Sequence, residues 1–408
     1  MDGIASEMSG GSGVRCAAAV STAADLPQAI AEAVRAAQAD LGSGARADLA
    51  IVFVSKDHGS AIRTVLDGLA DVVPARVVLG ATVEGLLAGT AEYETGPAVA
   101  VWLAVLPGAV LVPLALEYAQ TADGGSFVGW PAELDGGWPA NASLLLLADP
   151  FSCPLERLLT RMDEDQPGVP VLGGMASGGY EPGCNTLVVN QRSYDSGAVG
   201  VVIGGGVRLR PLVSQGCRPI GRPLVITRAD ANVIIELGGR PAMERLREIY
   251  GELSPIDRDL VRTSLHVGRV ASEYKDSFQR GDFLVRTVMG ADPDSGVLAI
   301  GDLVRTGQTV QFHVRDEASA HDDLVALLQR EHASGARLAG ALVFTCNGRG
   351  TRLFGQPHHD AACVQEYLGP LPTIGFFAQG EIGPIGPRNC LHGFTASIAL
   401  LEAVPEAG

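Results

Sequence analysis

The side chains best suited to chemistry are concentrated between Ala341 and Leu400. An apolar run, Ala341-Leu342-Val343-Phe344, leads through Thr345 into Cys346-Asn347-Gly348-Arg349-Gly350. A buried strand there would deliver a thiol, an amide and a guanidinium to a turn loosened by glycines, which lack Cβ and allow close backbone approach. Farther along, Ile374-Gly375-Phe376-Phe377-Ala378-Gln379 runs into Gly380-Glu381-Ile382-Gly383-Pro384, where a second glycine turn presents one carboxylate. Leu391-His392-Gly393-Phe394-Thr395 closes the stretch. A guanidinium fork suits a carboxylate or phosphate, and a carboxylate suits an ammonium, so Arg349 and Glu381 together suit a small zwitterion such as an amino acid.

Each of these residues has a second reading. Cys346 fits a core thiol at a strand end, the wall of a ligand pocket, or a nucleophile, the last needing a base or cation to lower its pKa. Arg349 could hold a ligand's anionic group or form an internal ion pair with Glu381 or Asp360. His358-His359-Asp360 suggests a metal, but adjacent histidines point in different directions, and Asp360 reads more simply as the N-cap of the helix carrying Val364, Tyr367 and Leu368. His392 could bind a ligand or satisfy a core hydrogen bond.

Cys346-Asn347-Gly348-Arg349-Gly350, His359-Asp360, Gly380-Glu381-Ile382-Gly383-Pro384 and Leu391-His392-Gly393-Phe394-Thr395, in that order, resemble the C-terminal signature of FIST domains. The resemblance implies a sensory, small-ligand-binding module of bacterial signalling proteins, one that also occurs behind an F-box in eukaryotes. It implies a FIST N-like domain over residues 15–217 and a FIST C-like domain over 218–404, while the Gly- and Ser-rich composition of the start reads as a disordered tail at 1–14. It places ligand contacts at Cys346, Asn347, Arg349, His359, Asp360, Gly380, Glu381 and His392, with no catalytic residue and no metal ligand. No cofactor is expected. A haem-based gas sensor with a histidine as axial ligand is the alternative that the resemblance permits, and an enzyme using Cys346 with a histidine base is a further one. The chain carries no recognisable output module, so a signal would pass to a separate partner protein.

Positioning these residues requires a particular set of elements, and the chain repeats that set. Leu49 to Val54 reads as a strand covered on both faces, Ile62 to Leu69 as a helix, and Arg76 to Leu79 as a strand ending at Gly80 and Gly85. Val99 to Leu106 and Val110 to Leu116 follow, hinged at Pro107-Gly108. The programme recurs from Leu144 to Leu212, with a helical stripe of Leu155, Leu158, Leu159 and Met162 behind Ser152 as cap. Gly173 and Gly178 keep the spacing of Gly80 and Gly85, and Gly375 and Gly380 repeat it again. The expected fold is therefore α/β, with mixed sheets, helical crossovers and three strand–helix–strand–Gly-turn–strand units. Only the third unit carries Glu381; Leu86 and Gly179 stand at the same offset in the others. Between the second and third units a different plan reads as a β meander, with a hairpin turn at Asp230-Ala231-Asn232, a helix opened by Pro241, and a turn at Asp292-Pro293-Asp294.

The whole chain narrows the function classes. With 30 Lys and Arg against 46 Asp and Glu, its formal charge of −16 speaks against nucleic-acid binding, which needs a basic face. No apolar run reaches the length of a membrane span, and the first thirteen residues lack a signal peptide's basic start and apolar core. Seven cysteines without Cys-x-x-Cys spacing point to a reducing cytoplasm rather than to a disulfide scaffold. No dinucleotide or Walker A fingerprint accompanies the glycine turns.

Overall fold

The computed structural model describes residues 13–404, except 43, 121–123 and 276, so residues 1–12 of the expected tail lie outside it. Three sheets of one design are arranged around a shared core. In each, two parallel strands joined by a helical crossover form the centre: Ala47–Ser55 with Ala75–Val83, Ser143–Ala148 with Val171–Met175, and Leu338–Cys346 with Thr373–Ala378. A third strand, Val99–Val105, Ala198–Gly205 or Thr395–Ala403, lies antiparallel to the first. These are the three expected units, and the glycines occupy equivalent places. Gly80, Gly173 and Gly375 lie opposite Val52, Leu146 and Val343 on the parallel neighbour.

These glycines are strand residues, where sequence reading places turns. A Cβ on Gly173 or Gly375 would lie 1.8 or 1.9 Å from the carbonyl oxygen of Leu146 or Val343, and one on Gly80 would lie 2.9 Å from that of Val52. Each strand continues past its first glycine, to Val83, Met175 and Ala378.

The units also exchange parts around a ring. The hairpin that follows each parallel pair joins another unit's sheet. Leu86–Tyr93 pairs with Thr373–Ala378, Leu187–Tyr194 with Ala75–Val83, and Glu381–His392 with Val171–Met175. The strands after the Pro-Gly and Gly-Gly hinges likewise leave their own sheets. Ala109–Ala119 pairs with Ala198–Gly205 and Val207–Gln215 with Thr395–Ala403, so neither strand pairs with the one that precedes it. The first strand, Arg15–Ser21, fills the same position beside Val99–Val105 and closes the cycle.

The inner faces of all three sheets share one core, in which Phe53, Phe344 and Phe376 meet at centroid separations of 4.8 and 5.4 Å. Helices cover the outer faces: Leu26–Leu41 on the first sheet, Leu155–Asp165 on the second, and Glu317–Ala333 with His359–Leu368 on the third. Asp25 caps the first helix, its carboxylate accepting from Gln28 N. Ser152 does not cap the second helix: its hydroxyl donates to Asp149 and accepts from Gly197 N.

The expected meander is a closed antiparallel barrel inserted between the second and third units. Its strands run Cys217–Asp230, Thr309–Arg315, Leu265–Val270, Phe283–Asp292, Val297–Ile300 and Val233–Leu237, and the last pairs back with the first. Ile220, Ile226, Ile234, Val267 and Phe312 fill it. The hairpin at Ala231 and the helix Ala242–Glu252 are those expected, whereas the helix Pro255–Ser264 and the strand Leu265–Val270 have no counterpart in the sequence reading.

Candidate functional site

The strand Leu338–Cys346 delivers its thiol to the end of the third sheet, and distant parts of the chain hold the turn that follows. Arg315, the last barrel residue, donates from Nη2 to Gly348 O at 3.0 Å; a Cβ on Gly348 would stand 3.0 Å from its Nη1. Gly350, at φ 59°, leaves room for the Glu94 carboxylate of the first unit, which accepts from Thr351 N and Oγ1 at 2.9 and 2.6 Å. Arg352 bridges Asn347 O and Glu84. The glycines in this motif thus serve contacts with the barrel and the first unit.

Arg349 turns inward and is fully buried. Its Nε and Nη2 donate to Asp360 Oδ2 and Oδ1, both at 2.7 Å, and its guanidinium stands 5.2 Å from the Phe354 ring centroid. Burial alone would push Asp360 up, but the Arg349 charge and hydrogen bonds hold it well below the usual carboxylate range. Asp360 also accepts from Thr345 Oγ1 and faces His359 Nδ1. Its side chain therefore does not cap the helix His359–Leu368, as sequence reading expects. The cap comes from Glu92, whose carboxylate accepts from the backbone N–H groups of His358, Asp360 and Ala361 and meets the orphan donors of that helix end.

Glu381 is also fully buried, and its Oε2 accepts from Thr395 N and Oγ1 at 3.0 and 2.8 Å. Burial pushes it up to about 7 in spite of those bonds and the nearby Arg349 and Arg315 charges. Strand register identifies its counterparts. Glu381 lies opposite Gly174, one residue past Gly173; the same relation holds for Leu86 with Phe376 and Leu187 with Ala81. Leu187, not Gly179, is the second unit's equivalent, because a longer loop precedes that hairpin. A buried leucine in two units is thus a buried carboxylate in the third, and Tyr93 and Tyr194 correspond to His392.

Between this unit and the barrel lies a polar layer that contains Cys346, Arg349, Glu381 and Thr395 on one side and Cys217, His266 and Arg315 on the other. Phe394 sits between them at φ 68°, its ring 4.3 Å from that of His266 and 5.1 Å from the Arg315 guanidinium. Among the described residues, Arg349 Nη1, Glu381 Oε1, Arg315 Nε and His266 Nδ1 are buried and make no hydrogen bond. Burial raises the Cys346 thiol to about 12, which Glu381 reinforces and Arg315 opposes; a thiol so held is a poor nucleophile. Burial lowers His266 and His392 to about 4, and His392 Nε2 donates to Gly383 O at 3.0 Å.

The structure thus brings Cys346, Arg349 and Glu381 together and links Asp360 and His359 to them through Arg349. Asn347 lies beside Cys346 at the turn and Gly380 packs against Leu391 and Met175, while His392 lies directly opposite Glu381 in the same hairpin. Arg315, His266 and Cys217 escaped sequence reading because nothing local marks a residue that an inserted barrel will bring here. Five surface cavities, the widest of them about 560 Å³ and lined by Arg269, Arg286 and Arg388, include neither Arg349 nor Glu381. None of the five has a histidine in its wall.

The FIST N domain profile matches residues 48–240 and the FIST C domain profile residues 242–384. The chain belongs to the FIST family. FIST domains are sensory signal-transduction domains. An uncharacterized protein of Mycobacterium tuberculosis (strain ATCC 25618 / H37Rv) is 42% identical over 388 residues, covering 95% of this FIST chain and 99% of its own. An uncharacterized Mycobacterium bovis protein is 42% identical over the same length, covering 95% of this chain and 98% of its own. No helix among the described residues is long and apolar enough to cross a membrane.

Proposed function

We propose that this FIST protein is a non-catalytic, cytoplasmic sensor that binds a small polar ligand in the layer between its third unit and its barrel. The observation that carries this reading is the pair of buried polar atoms, Arg349 Nη1 and Glu381 Oε1, that make no hydrogen bond within the described chain. Buried polar groups are ordinarily satisfied, and leaving one unpaired costs about 1–3 kcal/mol. A ligand with an acceptor for Arg349 and a donor for Glu381 supplies both partners, and an amino acid has both. The replacement of a buried leucine by Glu381 in this unit alone supports the same reading, because the fold is built twice without that charge.

A ligand in this layer would touch ring and barrel together. Its binding energy would then favour one arrangement of the two over another, which is the differential affinity that a sensor needs to pass a signal to a separate partner. Native mass spectrometry of gently isolated protein tests the proposal. A small polar adduct on the wild-type chain that is lost from Glu381→Gln is expected; an adduct retained equally by both chains would place the ligand elsewhere.

A further inference from the structure

A second cluster lies on the outer side of the third sheet, where the helices Glu317–Ala333 and His359–Leu368 pack together. His359 and Cys363 are one turn apart on the same helix face, and His321 approaches from the other helix. His321 Nδ1 lies 2.9 Å from His359 Nε2, Cys363 Sγ lies 3.9 Å from the same nitrogen, and all three atoms are within 4.8 Å of one another. We propose that His321, His359 and Cys363 form a site for a divalent ion of the zinc type.

The ligand set and its surroundings both support this. Two imidazoles and a thiolate are the donors that zinc takes, at about 2.0–2.1 Å for nitrogen and 2.3 Å for sulfur, which spaces tetrahedral ligand atoms about 3.3–3.7 Å apart. Small side-chain rotations bring the present atoms to that spacing. His359 donates its Nδ1 proton to Asp360 Oδ1 at 2.9 Å, which fixes the tautomer that leaves Nε2 free to coordinate. Phe354 stacks on the ring at a centroid distance of 3.4 Å and an interplanar angle of 11°, holding its orientation. A carboxylate behind a ligating imidazole is the usual outer support of a metal site. On binding, the Cys363 thiol releases its proton to solvent and the thiolate enters coordination, leaving a fourth position for water or an exchangeable ligand. Through His359, Asp360 and Arg349 the ion would also be one hydrogen-bonded chain away from the buried layer.

A plain His321–His359 hydrogen bond is the competing account, and metal titration separates the two. The full chain, stripped with a chelator and dialysed, is titrated with Zn²⁺ by calorimetry and with Co²⁺ by absorbance. One ion per chain and a thiolate-to-cobalt charge-transfer band are expected. Cys363→Ser should abolish the band, and Cys363→Ser and His321→Gln should each weaken Zn²⁺ binding at least tenfold. His332→Gln, at the far end of the same helix, should leave it unchanged. If Cys363→Ser does not fold, His321→Gln decides. No binding by the wild type, or equal binding by wild type and His321→Gln, overturns the proposal.

Discussion

At the scale of single residues, the buried charges around Arg349 serve two ends. Its bidentate bond to Asp360 means that Arg349→Ala would strand a carboxylate in the core. A loss of about 3–5 kcal/mol of stability in chemical denaturation is expected. Arg352→Ala, which breaks a half-exposed pair with Glu84, should cost about 1 kcal/mol or less. Glu381 adds a pH dependence. Its carboxyl titrates near 7 in the fold and near 4.5 when unfolded, so between those values the native state holds the extra proton and stability falls as pH rises. His266, His313 and His392, lowered to about 4, act oppositely: the unfolded state takes up the protons, and their contribution is lost as pH falls from about 6.5 to 4. Glu381→Gln should therefore gain on the wild type as pH rises from 5 to 8, by on the order of 1–3 kcal/mol, read from denaturation midpoints at the two pH values. A constant offset would mean that Glu381 is ionised throughout.

At the scale of elements, the glycine spacing carried the repeat. Gly80, Gly173 and Gly375 were legible as equivalent because the same close approach to a parallel neighbour's carbonyl recurs in each unit. Their role was not legible, because a glycine that admits a backbone oxygen and a glycine that makes a turn look alike in sequence. Gly173→Ala and Gly375→Ala should each cost about 4 kcal/mol or more and Gly80→Ala distinctly less, measured as soluble yield and melting temperature. Equal effects at the three sites would contradict the register. The counterpart of Glu381 was misplaced for a related reason: a fixed offset from Gly173 reaches Gly179, but the second unit's longer loop delays its hairpin to Leu187. The helix cap from Glu92 was hidden as well, since a carboxylate in the first unit's hairpin meets a helix in the third only because that hairpin crosses into the third sheet.

At the scale of the molecule, the exchange of strands and hairpins makes the two family domains interdependent. The hairpin Leu86–Tyr93 and the strand Val207–Gln215 complete the sheet of the third unit, while Glu381–His392 completes that of the second. Residues 13–216 produced alone should lack cooperative thermal unfolding, and co-expression with 217–404 should restore it. An independently folded first half would contradict the shared core. The same interlocking gives a sensory function its physical means, because the barrel enters and leaves the ring beside Cys346, Arg349 and Glu381. The most direct test of ligand binding there is a thermal shift of the wild-type chain and Glu381→Gln across a panel of amino acids at saturating concentration. A ligand at 100 times its Kd should stabilise the native state by about 2.7 kcal/mol. At least one amino acid is expected to raise the wild-type melting temperature by several degrees, with most of that gain absent from Glu381→Gln. A panel that shifts neither protein, or shifts both equally, would contradict the assignment of this layer as the amino-acid site.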